Sequence, residues 1–191
     1  ALAARGALAA APADIAFRVV REGAPVGTHT VRFREGANGL LEARSEVRIL
    51  VRLAGFTVYR YTHDTEEAWR GDRLVALTSR LDRNGRAGFA EARAEGGAIL
   101  LRGSAGETRL PAEAAPLTWW RAASFAGGPL FDPRDGGAVR PRIERLPAPA
   151  GLRRLLVQAA DTAEVVHDSG GRWVGFSTRG EDGSTATYER G

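Results

Sequence analysis

The sequence contains no cysteine and no lysine. Without thiols there is no disulfide framework, no thiolate zinc site and no cysteine nucleophile. Every one of the 27 basic residues is therefore arginine, set against 23 acidic residues for a net charge of +4. That small excess, spread over 191 residues, is not the clustered stripe of a nucleic-acid module, so no nucleic-acid partner is expected. Long apolar runs are missing as well: no stretch approaches the ~18 residues needed to cross a bilayer as a helix. Histidine occurs only three times. Those three are the natural metal ligands or general bases in a chain that has no cysteine.

What is present describes a folded domain. Hydrophobic residues make up 43% and charged residues 26%, which excludes wholesale disorder. A chain of this length buries roughly 70% of its unfolded surface. The first residues, Ala1 to Ala13 (ALAARGALAAAPA), are alanine-rich, with A-x-A arrangements at Ala9 to Ala11 and Ala11 to Ala13. They resemble the end of a secretory signal peptide. Residues 1–14 are accordingly expected to be a signal remnant or a disordered N-terminus, and residues 15–191 a single β domain located in the periplasm or outside the cell.

From Asp14 onward the hydrophobic pattern has period two and is broken every few residues by glycine-bearing turns, which predicts an all-β antiparallel meander. Leu41, Ala43, Ser45, Val47, Ile49, Val51 and Leu53 alternate with Glu42, Arg44, Glu46, Arg48 and Arg52, giving one apolar and one charged face. A strand over Leu40 to Leu53 would extend roughly 46 Å, while a compact domain of this size is about 40 Å across. The sheet is therefore expected to curl strongly, as an open barrel or wrapped sheet around a concave apolar surface. Leu117, Trp119, Trp120, Ala123 and Phe125 break the alternation. Residues 117–126 are read as a short helical or irregular plug in that concavity.

Two constellations stand out. If Ala54-Gly55 forms a two-residue hairpin loop, His63 faces Glu46, and a four-residue loop at Gly36 to Gly39 sets His29 opposite the same Glu46. A His29–Glu46–His63 row would suit a divalent metal or acid/base chemistry. A slip of one residue in the first hairpin instead aligns Val31 and Phe33 with Ala43, Ser45 and Val47, which buries more apolar surface. The second constellation is aromatic: Trp119, Trp120 and Phe125, together with Tyr59, Tyr61 and Trp69, are candidates to line a ligand pocket. No serine-hydrolase elbow or phosphate loop occurs.

Several segments taken together resemble a family of uncharacterised exported bacterial proteins, a domain of unknown function. They are Arg21-Glu22-Gly23 with Val26-Gly27-Thr28-His29, Val58-Tyr59-Arg60-Tyr61-Thr62-His63, Glu67-Ala68-Trp69-Arg70-Gly71-Asp72-Arg73-Leu74, Gly170-Gly171-Arg172-Trp173-Val174 and Asp182-Gly183-Ser184. The resemblance implies secretion and an all-β meander, with His29 and His63 on the family's histidine-bearing strands, and it brings no known reaction. The architecture is also similar to periplasmic carriers that cup a lipid or lipoprotein acyl chain. The leading expectation is a non-enzymatic carrier of an apolar, lipid-like ligand, needing no cofactor. The alternatives are a histidine-based or metal-dependent enzyme using His29, His63 and Glu46, and a subunit of an envelope complex recognised through its exposed sheet edge.

Overall fold

The computed structural model of the chain describes residues 11–180 and 182–190. Most of the alanine-rich stretch read as an export signal therefore lies outside the described residues. From Ile15 the chain is strand after strand: β1 (Ile15–Arg21), β2 (Ala24–Glu35), β3 (Leu41–Leu53), β4 (Phe56–Arg70), β5 (Arg73–Arg83), β6 (Arg86–Glu95), β7 (Ala98–Gly103) and β8 (Gly106–Pro111). Then come the two-residue strands β9 (Ala115–Pro116), β10 (Leu130–Phe131) and β11 (Ala138–Val139), followed by β12 (Arg142–Leu146), β13 (Leu152–Gln158), β14 (Thr162–Asp168), β15 (Trp173–Arg179) and β16 (Thr185–Arg190).

Thirteen strands form one antiparallel sheet in the order β12-β13-β14-β15-β16-β1-β2-β3-β4-β5-β6-β7-β8. The chain's two halves join in the middle of this sheet, where β16 pairs with β1. The predicted all-β meander is present and the sheet stays open, with β8 and β12 as its edges. β11 and β12 are separated at Pro141, which has no N–H to give a ladder.

The turns follow from their residues. Glu22-Gly23, Ala54-Gly55 and Asn84-Gly85 all have positive φ at both positions, the hairpin conformation whose twist matches that of the flanking strands. The segment between β8 and β12 fills the concavity. Its Leu117, Trp120, Phe125, Leu130 and Phe131 belong to one apolar cluster with Ile15, Phe17, Val31, Trp69 and Trp173 of the sheet. Only Ala122–Phe125 within it forms a helical turn, of the 3-10 type, so the expected plug is mostly irregular. Its far end, residues 132–137, lies directly on bare backbone: a Cβ on Gly103 would sit 2.1 Å from the Asp135 carbonyl oxygen, and one on Gly88 would sit 2.6 Å from that of Arg134.

Register decides which side chains face this core. At the tip of the β3–β4 hairpin, Leu53 faces Phe56 and Arg52 faces Thr57, as a two-residue loop requires. The next pair is Val51 with Tyr59, so Val58 is an extra residue without a partner, a β-bulge. Beyond the bulge every pairing is shifted by one. Without it, Tyr59, Tyr61, His63, Thr65, Glu67 and Trp69 would face outward.

Candidate functional site

The bulge corrects the predicted histidine row. Val47, not Glu46, faces both His29 on β2 and His63 on β4. Glu46 pairs with Thr30 and Asp64 on the opposite face, where Arg44 donates to it at 3.1 Å. Between β2 and β3 the burial argument prevails: Val31 faces Ser45 and Phe33 faces Ala43. The two histidines thus share the inner face with an apolar residue between them. Among the described residues no group of three or more His, Cys, Asp or Glu is arranged to hold a metal ion.

Each histidine is held as a neutral ring. His29 Nε2 lies 2.8 Å from Ser45 Oγ, with the Trp173 and Tyr188 rings 4.9 and 5.6 Å away. Burial, and then the nearby His63, push its pKa down to about 3. His63 Nε2 lies 2.8 Å from Ser79 Oγ, and burial lowers its pKa to about 4, assisted by the Arg134 charge and opposed by a hydrogen bond to the Pro133 backbone. His167 Nε2 donates to the Trp119 carbonyl at 2.9 Å, and burial also lowers its pKa. A base poised near pH 7 has the opposite character.

Glu67 brings a buried carboxyl group onto the same inner face of the sheet. It sits on β4 at 4% exposure and accepts a 2.8 Å hydrogen bond from the Trp69 indole. Burial raises its pKa to about 7, and the Trp69 hydrogen bond, the nearby polar groups of Trp120 and Thr118 and the charge of Arg121 limit the rise. Thr118, Trp119, Trp120 and Pro133 all belong to the plug. Glu67, His63 and His167 are therefore polar clasps between the sheet and its plug. Two outer clasps complete the set. Arg121 pairs with Asp72 at 2.7 Å and lies 4.2 Å over the Trp69 ring, and Arg134 bridges Asp132, at 2.6 Å, to Asp161.

The predicted ligand residues fall into separate groups. Trp120 meets Trp69 edge-on at 6.2 Å, inside the core. Trp119 stacks on Phe125 at 6.1 Å and touches Phe176 at 5.0 Å. Tyr59 and Tyr61 stack on each other at 6.4 Å, beside Arg83. Beside the 3-10 turn opens a cleft of about 520 Å³. The 3-10 turn contributes Ala122, Ala123 and Ala126 to it, the β12–β13 connection adds Arg145, Leu152 and Arg153, and the β14–β15 turn closes the far side. Sequence reading missed this cleft, since alanines in an irregular segment carry no periodic signal.

Residues 17–191 match a family described as a domain of unknown function, DUF6134. The chain belongs to this family. No curated protein matches the chain. A solved structure, described as a beta-barrel-like protein of domain of unknown function DUF1849 from Brucella abortus, is similar with a TM-score of 0.61 at 11% identity. The match covers 96% of this chain and 97% of that one. At that identity the likeness is one of fold, and it fits this DUF6134 chain's open, barrel-like sheet.

Proposed function

We propose that this DUF6134 protein is a non-enzymatic, exported binding protein for an apolar, lipid-like ligand, taken up at the open end of the curled sheet. The observation that carries this reading is the cleft of about 520 Å³ between the 3-10 turn and the β12–β13 and β14–β15 connections. Its size is within the range of small-molecule sites. The short side chains of Ala122, Ala123 and Ala126 leave room for a hydrocarbon segment, and Arg145 and Arg153 beside them suit an anionic end. Phe125, within that turn, stacks on Trp119 behind the cleft without lining it, and Trp120 and Trp69 meet deeper in the core. The neutral rings of His29 and His63, each bonded to a serine hydroxyl, support binding over chemistry.

The test is binding of a fluorescent fatty-acid analogue to the purified chain, together with native mass spectrometry of the protein as isolated. Saturable binding is expected, and Ala123→Trp, which fills the cleft, should weaken it at least tenfold. The reading fails if the wild type neither retains a lipid nor binds the analogue saturably, or if Ala123→Trp binds as well as wild type. Export is checked by cell fractionation of the full-length precursor, with recovery in the cytoplasm counting against it.

A further inference from the structure

At the end of the sheet remote from the cleft, β3 and β4 outrun their neighbours. The last pairing of β2 with β3 is Gly27 with Ile49, and the first of β5 with β4 is Tyr61 with Arg83. The residues from Leu50 to Arg60 therefore have only each other as ladder partners, as a two-stranded arm, while the Arg60 backbone at its base exchanges hydrogen bonds with Asn84 of the β5–β6 turn at 2.7 and 2.9 Å. Every residue from Arg52 to Val58 is exposed. At the arm's tip, Leu53, Phe56 and Val58 are 70%, 76% and 53% exposed and stand out as large exposed apolar side chains.

The chemistry of this tip differs from that of its sister turns. The same backbone conformation is made by Glu22-Gly23 and Asn84-Gly85 elsewhere at this end, and here by Ala54-Gly55 flanked by Leu53 and Phe56. Left-handed φ at a residue with a Cβ favours Asn or Asp, so alanine at φ 49° gives up local stability for an apolar surface. The bulge at Val58 adds to that surface by turning an extra apolar side chain outward. Cations surround the tip: Arg52 and Arg60 are exposed on the arm, and Arg86 is exposed on the adjoining β5–β6 hairpin. None of the three is in an ion pair among the described residues. The carboxylate on that hairpin, Asp82, is engaged with the Gly85 N–H.

We propose that the β3–β4 arm docks this protein reversibly on an anionic lipid surface, with Leu53, Phe56 and Val58 entering the headgroup–acyl boundary and Arg52 and Arg60 meeting lipid phosphates. An isolated apolar wedge with an arginine collar is the combination that binds bilayers containing acidic lipids. A protein partner is less well matched: the tip offers a few side chains, not the ≈ 800 Å² per partner of a stable protein interface. The inference does not depend on the ligand reading, because arm and cleft share no residue.

The test uses the full chain with vesicles of phosphatidylcholine alone or with a third phosphatidylglycerol, read by co-sedimentation. Wild type is expected to bind the mixed vesicles at least tenfold better than the neutral ones. Phe56→Asp and Leu53→Asp should each lose at least tenfold on mixed vesicles while keeping the wild-type Tm, and the pair Arg52→Glu with Arg60→Glu should lose a similar factor. In a Phe56→Trp variant, brominated lipid should quench fluorescence beyond the wild-type level, since the native tryptophans are in or against the core. The proposal is overturned if wild type does not bind mixed vesicles, if the aspartate variants bind as well as wild type, or if neutral vesicles bind equally. Concentration-dependent dimerisation abolished by Phe56→Asp would assign the tip to a second copy of the chain and overturn it too. Loss of fatty-acid binding in the cleft variants, by contrast, leaves this result untouched.

Discussion

Glu67 Oε2 accepts a 2.8 Å hydrogen bond from the indole N–H of Trp69, two residues along the same strand, and both side chains lie inside the core. This pair anchors the plug, because Trp120 packs edge-on against Trp69 and Thr118 lies near the same carboxyl group. Burial makes the protonated form the preferred one there.

The first prediction is a stability change with pH. In the folded chain Glu67 holds its proton up to about pH 7, against an ordinary 4.5. Between those values the native state binds a proton that the unfolded state lacks, so this group's contribution falls as pH rises. Glu67→Gln, which mimics the neutral acid, is expected to stabilise the fold by roughly 1–3 kcal/mol at pH 8 relative to its effect at pH 5. Urea denaturation at the two pH values measures this, and an equal effect at both would refute it.

The histidines act with the opposite sign. His29 and His63 stay neutral in the fold down to about pH 3 and 4, while in the unfolded chain they protonate near 6.5. The unfolded state therefore binds more protons through that window, and their contribution is lost as pH falls. His63→Gln should flatten the stability profile between pH 4.5 and 6 by about one proton, or about 1.4 kcal/mol per pH unit. A slope identical to wild type would show that His63 does not titrate as its burial requires.

Gly103 tests how the plug is seated. A Cβ at this position falls 2.1 Å from the Asp135 carbonyl oxygen, and backbone cannot rotate away as a side-chain end can. Gly103→Ala is expected to cost roughly 1–3 kcal/mol and to speed protease cleavage between Pro129 and Gly137. Gly88→Ala meets Arg134 at 2.6 Å and should do the same more mildly. Wild-type protease resistance in Gly103→Ala would place the loop elsewhere.

Deleting Val58 removes the bulge and with it the inward orientation of Tyr59 through Trp69, because one residue of slip exchanges the two faces of a strand. The deletion should cost about 3 kcal/mol or more, whereas Val58→Ala, which keeps the residue count, should change stability by less than about 0.5 kcal/mol. Thermal unfolding of the two variants distinguishes count from side chain. Equal melting temperatures would rule out the register argument.

The period-two alternation from Leu41 to Leu53, the glycine turns and the disruption around Trp119-Trp120 were legible in the residues, and they specify an antiparallel meander with a plug. Strand class and turn position are local properties, written within a few residues of where they act. The histidine row was not legible, since facing partners depend on every residue between them and the turn. The two-residue loop at Ala54-Gly55 was read correctly, and one unpaired Val58 still moved His63 from Glu46 to Val47. A bulge costs little locally and is chosen by what it buries: here Tyr61, His63, Thr65, Glu67 and Trp69 turn onto the core side instead of the arginine-rich one. The plug's clasps follow the same logic. Glu67 and Thr118 are far apart in the chain, and only packing inside a curled sheet brings them into one desolvated site, where a carboxyl group keeps its proton near neutral pH.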